Sequence, residues 1–253
     1  MRVMYDSSPT HIKSFFQNLA GFLDRNTFCD LTFEVGSEKF PCHRIIVASA
    51  SPYFEVLLSH TFKENTLNSI ILNNIEPEIF SLLLDYIYNR KIELDENNVQ
   101  QILLASDMLQ LDEVVQFCCH YLSISLNERN VIDIWKIASE LTRTDLINDA
   151  EHCMLQRFRG LVELNLIQTL PYDLLKKLIS HDELIVDHEQ QVFKGLILWL
   201  IHNPEQIQDE LFENIRFDYL SKEHRDVILN QIREVNQLKI LFKNINIDDS
   251  LFR

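Results

Sequence analysis

The chain has 253 residues, of which 46% are hydrophobic and 24% charged, with only 4 glycines and 6 prolines. This composition is typical of a chain that buries a core, and it excludes disordered and collagen-like proteins. The formal charge of −15 argues against a protein that binds nucleic acid over its whole surface. Because domains cluster near about 100–150 residues, we expect two domains.

Cysteine usage and apolar runs indicate the compartment. The 5 cysteines lack the regular spacing of a disulfide framework, so we expect reduced thiols, any one of which could be reactive. The longest apolar runs are far shorter than the about 20 residues that cross a bilayer. These features predict a protein of the cytosol or nucleus that does not bind membranes.

The first part of the chain alternates helical and strand patterns. Apolar residues at helical spacing predict an amphipathic helix from His11 to Asp24. Alternation around Leu31, Phe33 and Val35, followed by a glycine turn, predicts a β-hairpin. A helix is expected from Pro52, with Ser51 as its cap.

Further along, short strands are predicted at Ile70–Leu72 and at Ile92 and Leu94, with a helix from Pro77 between them. Two more helices are expected at residues 99–109 and 111–126. Beyond about Asn127 every segment long enough to assess has helical period, which predicts an all-helical second domain.

Sequence motifs of enzymes are missing. With glycine only at positions 21, 36, 160 and 195, neither a P-loop nor a dinucleotide fingerprint can be formed. The runs His181-Asp182-Glu183 and His188-Glu189 are better explained as a solvated helix start than as a metal site, because Val192 stands where a second histidine would be needed. We expect no catalytic residues, no cofactor and no metal.

Two charged residues stand in apolar surroundings. Asp30 begins a predicted strand and Arg44 precedes a run of branched aliphatic residues. Either they form a partly buried pair, since a buried charge needs a partner, or both are exposed at the ends of their elements.

The order of these elements closely resembles that of a BTB/POZ domain over about residues 10–126, and of a BACK domain over residues 127–245. The residues that carry the first resemblance are Phe28-Cys29-Asp30-Leu31, His43-Arg44-Ile45-Ile46-Val47-Ala48, Ser51-Pro52-Tyr53-Phe54, Leu84-Asp85-Tyr86-Ile87-Tyr88 and Leu109-Gln110. Those that carry the second are Asn130 to Trp135, Ser180 to Val186, and Val192-Phe193 leading to Trp199. The chain is thereby identified as similar to kelch-like proteins, without kelch repeats in these 253 residues.

The resemblance implies a homodimer that pairs through the amino-terminal helix and a β-edge. Phe15, Phe16 and Leu19 lie on the apolar face of that helix. Asp30 and Arg44 match an acidic and a basic residue near the family's dimer axis, which favours the partly buried pair.

The resemblance also implies binding of cullin-3. In kelch-like adaptors a hydrophobic residue, any residue and a glutamate follow the helix that contains Tyr53, and here these are Phe62-Lys63-Glu64. The resemblance thus implies Tyr53, Phe62 and Glu64 as the residues that bind cullin-3. An exposed ring can enter a pocket on a partner, and a nearby carboxylate can accept hydrogen bonds. In the alternative, Phe62 folds back onto its own domain and Glu64 is solvated.

The expected function is that of a non-enzymatic adaptor or scaffold subunit of a cullin-3 RING ubiquitin ligase, whose substrate the sequence does not name. The rival is a BTB scaffold in transcriptional regulation or cytoskeletal assembly that does not bind cullin. The absence of paired cysteine and histidine motifs argues against the zinc fingers of a transcription factor.

Overall fold

The computed structural model describes residues 8–59, 68–206 and 211, with side chains described from residue 12 onward. The chain divides into two compact units, Met1–Ile124 and Ser125–Arg253. Among the helices of the described ranges, none combines the length and apolar composition needed to cross a membrane.

The first unit mixes six helices and three strands in its described residues. In chain order they are α1 (Ser8–Asp24), β1 (Leu31–Val35), β2 (Glu38–Cys42), α2 (Arg44–Ala50), α3 (Pro52–Leu57), β3 (Ser69–Leu72), α4 (Pro77–Asn89), α5 (Val99–Met108) and α6 (Asp112–Ile124).

The strands form one small sheet in the order β2-β1-β3. Strand β1 pairs antiparallel with β2 and parallel with β3. Gly36 turns the predicted hairpin at a φ of +58°, a left-handed conformation that glycine adopts without strain. The hairpin prediction is therefore confirmed.

The core of the first unit lies beneath this sheet. The fully buried ring of Phe33 on β1 lies 4.9 Å from that of Phe54 and 5.4 Å from that of Phe80, measured between centroids. Helices α3 and α4 are thereby packed on the inner face of the sheet. Both begin with proline, at a position where no backbone N–H is needed for the helix.

Ser51 caps α3, as predicted. Its side-chain oxygen accepts a hydrogen bond from the Phe54 N–H and donates one to the carbonyl of Leu109. This buried hydroxyl therefore connects the start of α3 to the end of α5.

The strand predicted at Ile92 and Leu94 is wrong. Residues 91–95 alternate between exposed and half-buried, as a strand does, but they are not in a ladder with any described residue. A local pattern shows only that a segment can be extended, whereas a strand also needs a partner.

In the described residues of the second unit, the regular elements are all helical. Its helices are α7 (Val131–Glu140), α8 (Thr144–Gln156), α9 (Phe158–Glu163), α10 (Tyr172–Ile179) and α11 (Glu189–His202), with 3₁₀ turns at Leu166–Thr169 and Pro204–Gln206.

Trp199 on α11 is fully buried in the core of this unit. Its indole N–H donates to the carbonyl of Leu170 at 2.8 Å, so the one polar atom of this large side chain is satisfied. Phe193 and Leu196 are also buried, whereas Ile137 and Leu141 are half-buried.

Helices of both units end with a residue other than glycine in the left-handed conformation, among them α5 in the first unit and α7 in the second. Gln110 follows α5 at a φ of 54°, and Thr142 follows α7 at 53°. At both ends, paired backbone hydrogen bonds satisfy the last carbonyls in a Schellman motif.

Candidate interaction surfaces

Helix α1 exposes an apolar face. Ile12 and Phe15 are about half exposed, at 53% and 50%, whereas Phe16 and Leu19 are partly covered. Phe16 supports the guanidinium of Arg90, which lies 5.5 Å from its ring centroid. Of the three helix residues predicted for a dimer interface, Phe15 is thus the most exposed.

Phe28, which precedes β1, and Ile45, at the start of α2, are also apolar and are each 75% exposed. The Phe28 ring packs edge-on against Phe22 of α1, with 5.3 Å between centroids. Phe28 also has a φ of 63°, which is strained for a bulky residue. We call Ile12, Phe15, Phe28 and Ile45 together the α1–α2 face.

Asp30 and Arg44 meet, although the hydrogen bond between them involves the backbone of Arg44. The Asp30 carboxylate accepts from the Arg44 N–H at 2.8 Å, at the first residue of α2. Asp30 is exposed and Arg44 is half-buried. The carboxylate therefore satisfies one of the N–H groups that a helix start leaves without an intrahelical partner.

His43, which precedes Arg44 in the chain, is buried, and no local pattern in the sequence indicates its partners. His43 Nε2 lies 2.9 Å from the Thr27 carbonyl, which can only accept, so this nitrogen carries the proton. The other ring nitrogen, Nδ1, then accepts from the Tyr88 hydroxyl at 2.7 Å. Burial raises the pKa of Tyr88 and keeps it neutral. His43 thus links the loop before β1 to α4.

An apolar cavity of about 310 Å³ lies along α3. We call it the α3 groove. Its lining residues are Pro52, Tyr53, Val56, Leu57 and Gln110. Tyr53 is half-buried and Val56 is 56% exposed, so the lining of the groove includes apolar side chains that are accessible to solvent.

The other two residues predicted to bind cullin, Phe62 and Glu64, lie outside the described residues. Helix α3 ends at Leu57, so Phe62 follows the groove by five residues in the chain. The structure describes only Tyr53 of this predicted set, and it places Tyr53 in the groove.

A second cavity, of about 330 Å³, lies between the ends of α2 and α4 and the starts of α3 and α6. We call it the acidic pocket. In its wall the Tyr86 hydroxyl donates to the Glu113 carboxylate, and the Arg90 guanidinium lies 3.5 Å from the same carboxylate. Burial, together with the bond and charge of Glu113, raises the pKa of Tyr86 to about 12, so this phenol remains a donor.

No local pattern in the sequence indicates this pocket, because its lining residues come from four elements. Glu113 is 27 residues from Tyr86 in the chain. Tyr86 belongs to a run of residues that resembles the BTB domain, but this resemblance does not indicate the partner of its hydroxyl.

The second unit has polar contacts at its surface. Lys177 Nζ donates to Glu151, which also accepts from the Trp135 indole at 3.3 Å. His188 precedes the first turn of α11, as the interpretation of a helix start implies. Within the described ranges, histidine, cysteine and carboxylate side chains form no group of three that could hold a metal ion.

All five cysteines are free thiols. Burial is the main cause that raises the pKa of Cys42 to about 12, and likewise that of Cys118. Burial also raises the pKa of Cys29 and Cys153. These four sulfurs therefore stay protonated near neutral pH, a state of low nucleophilicity.

Comparison with known families assigns both units. Residues 19–126 match the model of the BTB/POZ domain, and residues 131–230 match the model described as BTB And C-terminal Kelch.

Similar whole proteins are longer than this chain. Kelch-like protein 2 of Rattus norvegicus is 30% identical over 220 residues, which cover 86% of this chain and 37% of that protein. Kelch-like protein 3 of the same organism is 30% identical over 248 residues, covering 97% of this chain and 41% of that protein. The chain thus spans about two-fifths of the length of these relatives.

Among solved structures, the BTB domain of human gigaxonin is 30% identical to the matched part. It covers 48% of this chain and 98% of the solved chain, with a TM-score of 0.43.

Proposed function

This chain belongs to the kelch-like family of BTB–BACK proteins, and on that premise we propose that it is a non-enzymatic adaptor that dimerises and binds cullin-3 through its BTB domain. The predicted fold class, an α+β BTB domain followed by an all-α BACK domain, is confirmed by the two family matches and by the element order. The family suggests protein–protein interaction. Cullin-3, the homodimer and an unidentified substrate protein are our proposals.

The α3 groove is the observation that carries the cullin-3 proposal. Apolar side chains line this cavity of about 310 Å³, whose shape suits an anchoring side chain of a partner. The Phe62-Lys63-Glu64 motif begins five residues after the last residue of α3. An anchor in the groove and a second contact at this motif would together hold one cullin-3 molecule per BTB domain.

The α1–α2 face supports the proposed homodimer. Four large apolar side chains stand exposed around α1 and the start of α2, and their burial against a second copy would remove this surface from water. A dimer of this kind would present two α3 grooves, one on each subunit.

Calorimetry with the purified amino-terminal domain of cullin-3 tests the proposal. We expect one cullin-3 domain per subunit and an affinity loss of about tenfold or more for Val56→Asp, because a charge in an apolar groove must be desolvated. Phe62→Ala and Glu64→Lys should each weaken binding by a similar factor.

Ile71→Asp is the matched control, since Ile71 is 66% exposed on β3 and does not line the groove. Its affinity should equal that of the unmodified chain. If the unmodified chain does not bind cullin-3, the adaptor proposal fails and a BTB scaffold without cullin, in transcription or cytoskeletal assembly, replaces it.

A further inference from the structure

The acidic pocket is the largest cavity described above, and neither the dimer nor the cullin-3 proposal uses it. Its volume of about 330 Å³ is at the lower end of the range for ligand sites in proteins. The pocket is open to solvent. Because of its small volume, it suits one long side chain better than a large cofactor.

The walls of the pocket combine apolar surface with carboxylates. Ala50, Pro52 and Ile87 provide the apolar part, and Ile87 is nearly fully buried. Asp112 and Glu113, both exposed, stand at the first turn of α6, where the helix dipole stabilises negative charge. Such walls match a side chain with an apolar stem and a charged end.

The net charge of the lining residues determines whether the bound side chain should carry a positive or a negative charge. The lining contains two carboxylates, of Asp112 and Glu113, and one guanidinium, of Arg90, so its formal charge is −1. Glu113 is held in place by the Tyr86 hydroxyl and by Arg90, so this acceptor is already oriented. An added cation would meet one carboxylate that is already oriented, that of Glu113, beside the second carboxylate of Asp112.

The position of the pocket indicates that the cation belongs to a polypeptide. Pro52 and Gln110 line both the acidic pocket and the α3 groove, so the two cavities share a wall. A chain that lies along the groove would pass the mouth of the pocket.

We propose that the acidic pocket is a second docking site, which takes one basic side chain, arginine or lysine, of a polypeptide bound along α3. The site is independent of the identity of that polypeptide, so it can be tested without cullin-3.

The test uses the full 253-residue chain, ¹³C-labelled at isoleucine and alanine methyl groups, and a small probe. Acetyl-arginine amide should shift the methyl signals of Ile87 and Ala50 in a saturable manner. Acetyl-citrulline amide, its neutral analogue, should bind about tenfold more weakly because it lacks the charge-assisted hydrogen bonds.

Two double variants with equal change in charge complete the test. Asp112→Asn with Glu113→Gln should remove the response to the arginine probe. Glu93→Gln with Glu96→Gln changes two exposed carboxylates that do not line the pocket and should leave the response unchanged.

The proposal is overturned if Ile87 shows no saturable shift, if citrulline binds as well as arginine, or if both double variants lose the response equally. A response to arginine in a chain that does not bind cullin-3 would retain the pocket and reject only the proposed adaptor function.

Discussion

The two units differ in the apolar surface that they leave exposed. In its described residues the BTB unit exposes ten large apolar side chains, and the BACK unit three. Those of the BTB unit are Ile12, Phe15, Phe28, Ile45, Val56, Ile71, Leu104, Met108, Phe117 and Ile124. Those of the BACK unit are Leu164, Ile185 and Ile201.

This difference indicates which unit offers the surface for the proposed assembly. Single exposed apolar residues are normal, whereas clustered ones mark interaction sites. In the BTB unit, four of the ten belong to the α1–α2 face and Val56 lies in the α3 groove. The BACK unit instead covers its surface with ion pairs such as Arg157 with Glu128 and Arg159 with Asp187. Exposed pairs of this kind contribute little stability.

The largest effect is expected from the core that holds the BTB surfaces in place. Phe33 is fully buried between Phe54 and Phe80, so Phe33→Ala should lower the free energy of unfolding by about 3–5 kcal/mol. Chemical denaturation followed by circular dichroism measures this loss.

Tryptophan emission separates the two units in the same experiment. Both tryptophans, Trp135 and Trp199, belong to the BACK unit. We expect the midpoint of the transition followed by tryptophan emission to be the same in Phe33→Ala as in the unmodified chain. An equal shift of the midpoint in circular dichroism and in tryptophan emission would show that the two units unfold together and would contradict this prediction.

The next effect concerns the dimer. Phe15→Asp should weaken dimerisation by about 100-fold, because the interface would have to bury an unpaired carboxylate. Analytical ultracentrifugation over a range of concentrations measures the dissociation constant.

Ile185→Asp is the control in the BACK unit. Ile185 is 52% exposed, almost the same as Phe15 at 50%. The Ile185→Asp substitution should have no effect on the dissociation constant of the dimer. A dimer that survives Phe15→Asp but not Ile185→Asp would reverse the assignment of the assembly surface.

The sequence predicts the elements of both units better than the surfaces between elements. Local signals were sufficient for the hairpin at Gly36 and the cap at Ser51, because both depend on residues a few positions apart. The strand at Ile92 and Leu94 was wrong, since pairing depends on a partner that the segment itself does not encode.

The site residues divide in the same way. The apolar face of α1 follows from helical spacing, so the exposure of Phe15 could be predicted. The contact of His43 with Tyr88 joins residues 45 apart, and the contact of Tyr86 with Glu113 joins residues 27 apart. No periodicity indicates such pairs, because they depend on how helices cross after folding.

A smaller effect is expected from the helix caps. Ser51→Ala should cost about 1–3 kcal/mol, because it removes the cap of α3 and leaves the buried Leu109 carbonyl without this donor. The comparable residue of α11, His188, forms no side-chain cap bond, so His188→Ala should change stability by less than about 0.5 kcal/mol. Thermal unfolding of the two variants tests the difference, and equal losses would contradict it.

The smallest effect is a gain of stability, and it again compares one helix end from each unit. Thr142 has a φ of 53°, and left-handed geometry is most strained for a β-branched residue. Thr142→Gly removes that strain but raises the entropy of the unfolded chain, so we expect a net gain of about 0.5–1 kcal/mol in denaturant unfolding.

Gln110 adopts nearly the same conformation, at a φ of 54°, without β-branching, so Gln110→Gly should stabilise the chain less than Thr142→Gly does. Gln110 also forms the wall between the α3 groove and the acidic pocket. Its replacement should therefore weaken the binding of cullin-3 and alter the response of Ile87 to the arginine probe, whereas Thr142→Gly should leave both unchanged. If Gln110→Gly stabilised the chain as much as Thr142→Gly and left both binding measurements unchanged, the shared wall would have no role in recognition.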